Sequence, residues 1–218
     1  MNQKWSRLIK QQSVLIACSF FCGFMLLARV YSSKELVYSF MIWNLFLASI
    51  PMVFALLVSH FTPRSKVGCA VLFLLWLLFF PNSTYMISDL LHLTHRTSTS
   101  VPGWYDAAML FFFALTGLFI GVVSLNYVHS YLRTIFSKIW AWAIVSCSIF
   151  LSGFGVYLGR FLRWNSWDII GEPMGLLNDV FDRIIHPTAH FQTYIVTFVF
   201  TVILFFAYFL FVSSKEII

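Results

Sequence analysis

Residues 67–95, VGCAVLFLLWLLFFPNSTYMISDLLHLTH, decide the fold. From Val67 to Ser88 the stretch carries no charged side chain, and its first half is almost wholly aliphatic and aromatic. About 20 such residues are what an α-helix needs to cross the hydrocarbon of a bilayer. The run therefore reads as a membrane span over about residues 67–90, with Pro81 breaking it before its end. At 1.5 Å per residue, Pro81 stands about 22 Å beyond Lys66, inside a hydrocarbon layer of about 30 Å. Asn82, Ser83, Thr84 and Tyr85 then lie at membrane depth, where polar side chains should face protein or a water-filled cavity. A proline kink whose freed carbonyls are satisfied by nearby hydroxyls accounts for part of that pattern.

Working outward, five further apolar runs have spanning length: about 13–30, 38–59, 107–128, 139–161 and 192–212. The expected fold is all-α, one polytopic transmembrane bundle of about six spans covering residues 1–218. Asn44 and Pro51 interrupt the second span, which is tolerable where neighbouring helices satisfy the backbone. Gly117-x3-Gly121 and Gly155-x3-Gly159 place small residues one turn apart, the spacing that lets helices approach closely.

Composition agrees. The chain is 60% hydrophobic and only 10% charged, whereas soluble domains carry about 25% charged residues. Its net charge of +6 comes from single lysines and arginines at segment ends. That pattern suits anionic membrane lipids, and nucleic acid is not an expected partner because no basic stripe follows a phosphate backbone. The four cysteines fall inside spans, so no disulfide framework is implied. LIAC, ending at Cys18, resembles a lipid-attachment box, but the apolar run continues well past it and reads as an uncleaved first helix.

Orientation follows the basic residues beside the spans. With the N-terminus inside, the cytoplasmic side receives eight: Lys4, Arg7, Lys10, Arg64, Lys66, Arg133, Lys138 and Lys215. The outer side receives six: Arg29, Lys34, Arg96, Arg160, Arg163 and Arg183. Both termini are then cytoplasmic, in a bacterial inner membrane. The outer side also receives Glu35, Asp89, Asp106, Asp168, Glu172, Asp179 and Asp182, so the mixed charges of a working site belong there.

Four outer stretches carry candidate chemistry: PNSTYMISDLLHLTH (81–95), VPGWYDAAM (101–109), GRFLRWNSWD (159–168) and DRIIHPTAH (182–190). FPNSTYMISDLLHL, WYD and YLGRFLRWNSWD resemble the motif blocks of a bacterial integral-membrane family, domain of unknown function thirteen sixty-one. The resemblance runs from about residue 70 into the last helix. It implies a polytopic bacterial membrane protein and transfers no catalytic residue.

The residues themselves offer three readings. Ser88 and His92, four apart, would share a helical face with Asp89 within reach, and Asp106 opens the next helix. With His186 and His190, His92 and Asp106 make an adequate zinc set with an open position, suited to hydrolysis. That order is similar to the intramembrane zinc hydrolases related to alkaline ceramidases and to progestin and adipoQ receptors. Six spans in place of seven, a longer spacer and Pro187 between the histidines depart from that pattern.

In the second reading, Arg160 and Arg163, three apart on one face, clamp a lipid phosphate. Asp89 and His92 supply the base for acyl or glycosyl transfer to or from a lipid-linked substrate, and Asn82, Tyr85, Asn165 and Asp168 complete the binding surface. The third reading is a non-enzymatic lipid-binding, partner-docking or transport-accessory protein. Within GRFLRWNSWD the two halves are expected to do different jobs: Arg160 and Arg163 hold an anionic group, an acidic side chain or a lipid phosphate, while Trp164 and Trp167 set the helix end at the head groups and Asn165 and Asp168 cap or orient the turn.

Overall fold

A computed structural model describes residues 3–60, 66–95 and 101–217. Arg64 and Arg96, and the side chains of Lys4, Arg7 and Lys215, enter the charge count above but lie outside what is described. The elements are α1 (Gln3–Ser33), α2 (Phe40–His60), α3 (Lys66–Phe79), α4 (Pro81–Tyr85), a 3-10 segment (Met86–His95), α5 (Gly103–Ile135), α6 (Lys138–Phe161), α7 (Asp168–Gly171), α8 (Pro173–Ile185) and α9 (Phe191–Ile217). No strand occurs among the described residues. Six stretches are long and apolar enough to cross a membrane: Ile9–Ser33, Phe40–Ser59, Lys66–Thr94, Gly103–Ile135, Lys138–Phe161 and Phe191–Ser214. The expected all-α bundle of six spans is what forms.

α5 is the most buried of the six, with α1, α2, the 3-10 segment, α4, α6 and α9 packed around it. One half of the core gathers Cys22, Met41, Met86, Met109 and Phe113, and the other gathers Trp76, Phe80, Leu125, Ile149 and Leu204. Pro51 sits inside α2 without ending it.

Pro81 does end its helix. Lacking an N–H and crowding the preceding turn, it closes α3 at Phe79 and becomes the first residue of α4. Two carbonyls then need new donors. Ser166 Oγ donates to the Leu78 carbonyl at 3.1 Å, and Asn82 Nδ2 donates to that of Phe79 at 3.0 Å. The broken segment is held from both sides by the two glycine pairs. A Cβ on Gly117 or Gly121 would stand 2.8 Å from Ser83, and one on Gly155 only 2.5 Å from Pro81 Cγ. Only residues without a Cβ allow α4 to wedge between α5 and α6.

Beyond α4 the chain winds as a 3-10 helix for ten residues, Met86–His95, where runs beyond three or four are uncommon. The cause is local. Ser83, Ser88 and Thr94 each donate their hydroxyl to the carbonyl three residues back, at 2.7 Å. Such side-chain bonds compete with the α-helical ladder. In this winding Asp89 and His92 share a face, as their spacing of three leads one to expect, whereas the expected partner Ser88 donates to the Tyr85 carbonyl.

Candidate functional site

The end of the bundle that carries the 3-10 segment also receives the start of α2 and the end of α6. Their meeting point is Asp89. Its side chain is fully buried, with Oδ2 accepting from Asn44 Nδ2 at 2.9 Å and Oδ1 from Arg160 Nη1 at 3.2 Å. A carboxylate removed from water needs such partners. The same Arg160 nitrogen lies 3.2 Å from His92 Nε2 and donates to the Tyr85 hydroxyl at 3.5 Å. His92 Nε2 is 3.9 Å from Asp89 Oδ1, and the Phe40 ring tilts against the imidazole at 4.7 Å. Arg160 is 15% exposed and His92 36%, so the imidazole is the accessible member of the cluster.

Phe40, Asn44, Tyr85, Asp89, His92 and Arg160 line an open pocket of about 230 Å³. A groove of about 250 Å³ adjoins it and shares the walls Asn44 and Tyr85. Trp43, Leu47, Leu77 and Leu158 make that groove apolar, and Asn82, Asn165 and Ser166 line one part of it. The open pocket at the charged cluster thus shares two wall residues with a largely apolar groove.

Of the expected site residues, Asn82, Tyr85, Asp89, His92 and Arg160 come together here. Asn82 is tied to the Phe79 carbonyl and to Ser166 Oγ at 3.1 Å, so it closes the proline break as well as lining the groove. Arg163 does not join them. α6 ends at Phe161, the N–H groups of Leu162 and Trp164 both reach the Leu158 carbonyl, and Arg163 takes a left-handed φ of 63°. The shared helical face stops before Arg163, whose side chain is exposed. Asp168 holds the turn from one side: its Oδ2 accepts from the Asn165 N–H at 2.6 Å and from the Asn165 side-chain amide at 3.1 Å. Trp164 is tied within the protein. Its indole donates to Asp179 Oδ2 at 2.7 Å, fastening the loop to α8, while Trp167 stands edge-on to Trp43.

The four residues considered for zinc are held apart by other partners. Asp106 takes the Arg29 Nε at 2.9 Å in a pair closed to solvent. Arg29 also donates to Ser33 Oγ and the Glu35 carbonyl and lies over the Tyr38 ring. His186 Nδ1 and His190 Nε2 converge on the two oxygens of Asp182, at 3.0 and 2.7 Å. Their hydrogen bonds, that of His186 foremost, hold the Asp182 carboxyl below the usual carboxylate range. Among the described residues no group of three His, Cys, Asp or Glu is placed to share a metal. Asp106 and the histidine pair are structural ties where they stand.

Asn44, Phe40 and Ser166 are the participants that sequence reasoning missed. Asn44 stood out only as a polar interruption of a span, and a lone amide inside an apolar run was the available signal.

The model of a family described as Protein of unknown function (DUF1361) matches residues 43–207, and the chain belongs to that family. No curated protein and no solved structure matches it.

Proposed function

We propose that this DUF1361 member is a membrane enzyme of hydrolase or transferase type acting on a lipid-linked substrate at the outer membrane face. The observation that carries the reading is the open pocket at the charged cluster, which shares Asn44 and Tyr85 with a largely apolar groove. The substrate's apolar part would lie along Leu47, Leu77 and Leu158, with its head at Arg160, Tyr85 and His92. Asp89, buried with both oxygens bonded, is a positioning residue for Arg160 and His92. His92, the exposed member, takes or gives the proton as a hydroxyl or water attacks, and Arg160 and Tyr85 stand where an anionic head or oxyanion would need donors. Eight basic residues beside the spans on the N-terminal side, against six on the other, support a cytoplasmic membrane with both termini inside.

The test is purification into nanodiscs of bacterial lipid, with mass spectrometry of retained and newly formed lipids. His92→Gln should retain the amphiphile and lose turnover, and Leu158→Trp should lose retention. Retention of no amphiphile by the wild-type protein would end the proposal. A second reading, lipid binding without chemistry, draws on the full pairing of Asp89 and Arg160. It predicts a retained lipid, no product, and His92→Gln indistinguishable from wild type.

A further inference from the structure

α8 contributes no buried residue. Met174, Leu177, Phe181, Ile184 and Ile185 recur at the helical spacing of one stripe, and all five are largely exposed. The opposite side is tied down: Asp179 takes the Trp164 indole, Trp164 packs at Gly175, and the Arg183 carbonyl accepts from the Tyr194 hydroxyl. The helix therefore turns its polar side to the protein and its apolar stripe outward. The start of α9 also carries exposed apolar residues, Phe191, Ile195 and Phe198. α8 lies in the connection between the spans Lys138–Phe161 and Phe191–Ser214.

We propose that α8 lies in the plane of the membrane, with its apolar stripe seated in the lipid of the site-side leaflet. What covers the stripe is lipid, because the helix leads within five residues into the spanning helix α9 and is tied to its start by the Tyr194 hydroxyl on the Arg183 carbonyl. In-plane helices are commonly rich in lysine and arginine, which add attraction to anionic lipid. This one is not. Residues 168–185 hold Asp168, Glu172, Asp179 and Asp182 against Arg183 alone, a net charge of −3. Seating is therefore driven by apolar contact, and neither anionic lipid nor low salt is required. Because Trp164, Trp167, Ile169 and Leu176 line the groove from this same segment, the seated helix also fixes that wall at the level of the head groups.

The experiment uses the full chain in nanodiscs at one copy per disc. Phe181→Cys and Ile185→Cys are compared with Gly171→Cys, where an added Cβ meets open space. A water-soluble, impermeant thiol reagent should label position 171 fast and positions 181 and 185 several-fold more slowly. The four native cysteines lie within spanning stretches and give a low background. Protection should persist in purely zwitterionic lipid and in high salt. Equal labelling at all three positions would show the stripe open to water and overturn the inference. Protection seen only with two copies per disc, accompanied by a Phe181→Cys disulfide dimer, would assign the stripe to a second chain and overturn it equally. Protection lost in zwitterionic lipid would overturn the apolar drive.

Discussion

Replacing Asp106 by leucine should cost about 3–5 kcal/mol of stability, because it leaves the Arg29 guanidinium buried without its counter-charge. The pair lies 2.9 Å apart and both side chains are closed to solvent. At an effective dielectric of about 20, that separation gives an attraction of about 6 kcal/mol. Taking each ion out of water costs several kcal/mol. The intact pair therefore sits near balance, and the loss on breaking it is the stranded charge. The double variant Arg29→Met/Asp106→Leu removes both charges and should return to within about 2 kcal/mol of wild type. The assay is denaturant unfolding in detergent followed by tryptophan fluorescence, on the two single variants and the double. The double variant should also keep lipid turnover, since Asp106 faces Arg29 and not the pocket. A double variant no more stable than Asp106→Leu would refute the balance argument. One as stable as wild type but catalytically dead would return Asp106 to the reacting groups.

Gly155→Ala should cost about 1–3 kcal/mol through overpacking against Pro81, whereas Gly171→Ala, with open space around its Cβ, should be nearly silent in the same melts. Arg163→Gly should leave stability unchanged or raise it by about 1 kcal/mol, because glycine accepts the left-handed φ that arginine does not favour; a loss of stability would mean that the arginine side chain holds the turn. The Asp182 carboxyl should titrate below its ordinary value of about 3.9. Its pairing then contributes stability in full above that ordinary value and loses it as pH falls through the folded-state value. Carboxyl carbon shifts across an acid titration will show it, and His186→Ala/His190→Ala should move the midpoint upward.

The spans were legible because length and apolarity alone define them. Pro81 was legible as a break for the same elementary reason, its missing N–H. The 3-10 winding was not read from the sequence. The spacing of three put Asp89 and His92 within reach all the same, and it is the accompanying pairing of Ser88 with His92 that gave way to the bond from Ser88 to the Tyr85 carbonyl. The convergence of Asp89 on Arg160 could be anticipated from the cost of charge at membrane depth. Which carboxylate meets which arginine depends on helix order, and Arg29, on the first helix, proved to be the partner of Asp106. Arg163 fell away from Arg160 because α6 stops two residues before it, an end that no glycine or proline announced.

The 3-10 segment Met86–His95 has a mechanical consequence. Ten residues span about 20 Å in this winding and about 15 Å in an α-helix. The protein thus reaches about 5 Å further toward the head groups with the same stretch of chain. Rewinding Asp89–His92 into α-helix would turn the imidazole by about 60° around the axis relative to the carboxylate, since three steps close a full circle in one winding and fall short in the other. The segment works as a gear as well as a spacer: its pitch sets whether His92 and Asp89 address the same guanidinium.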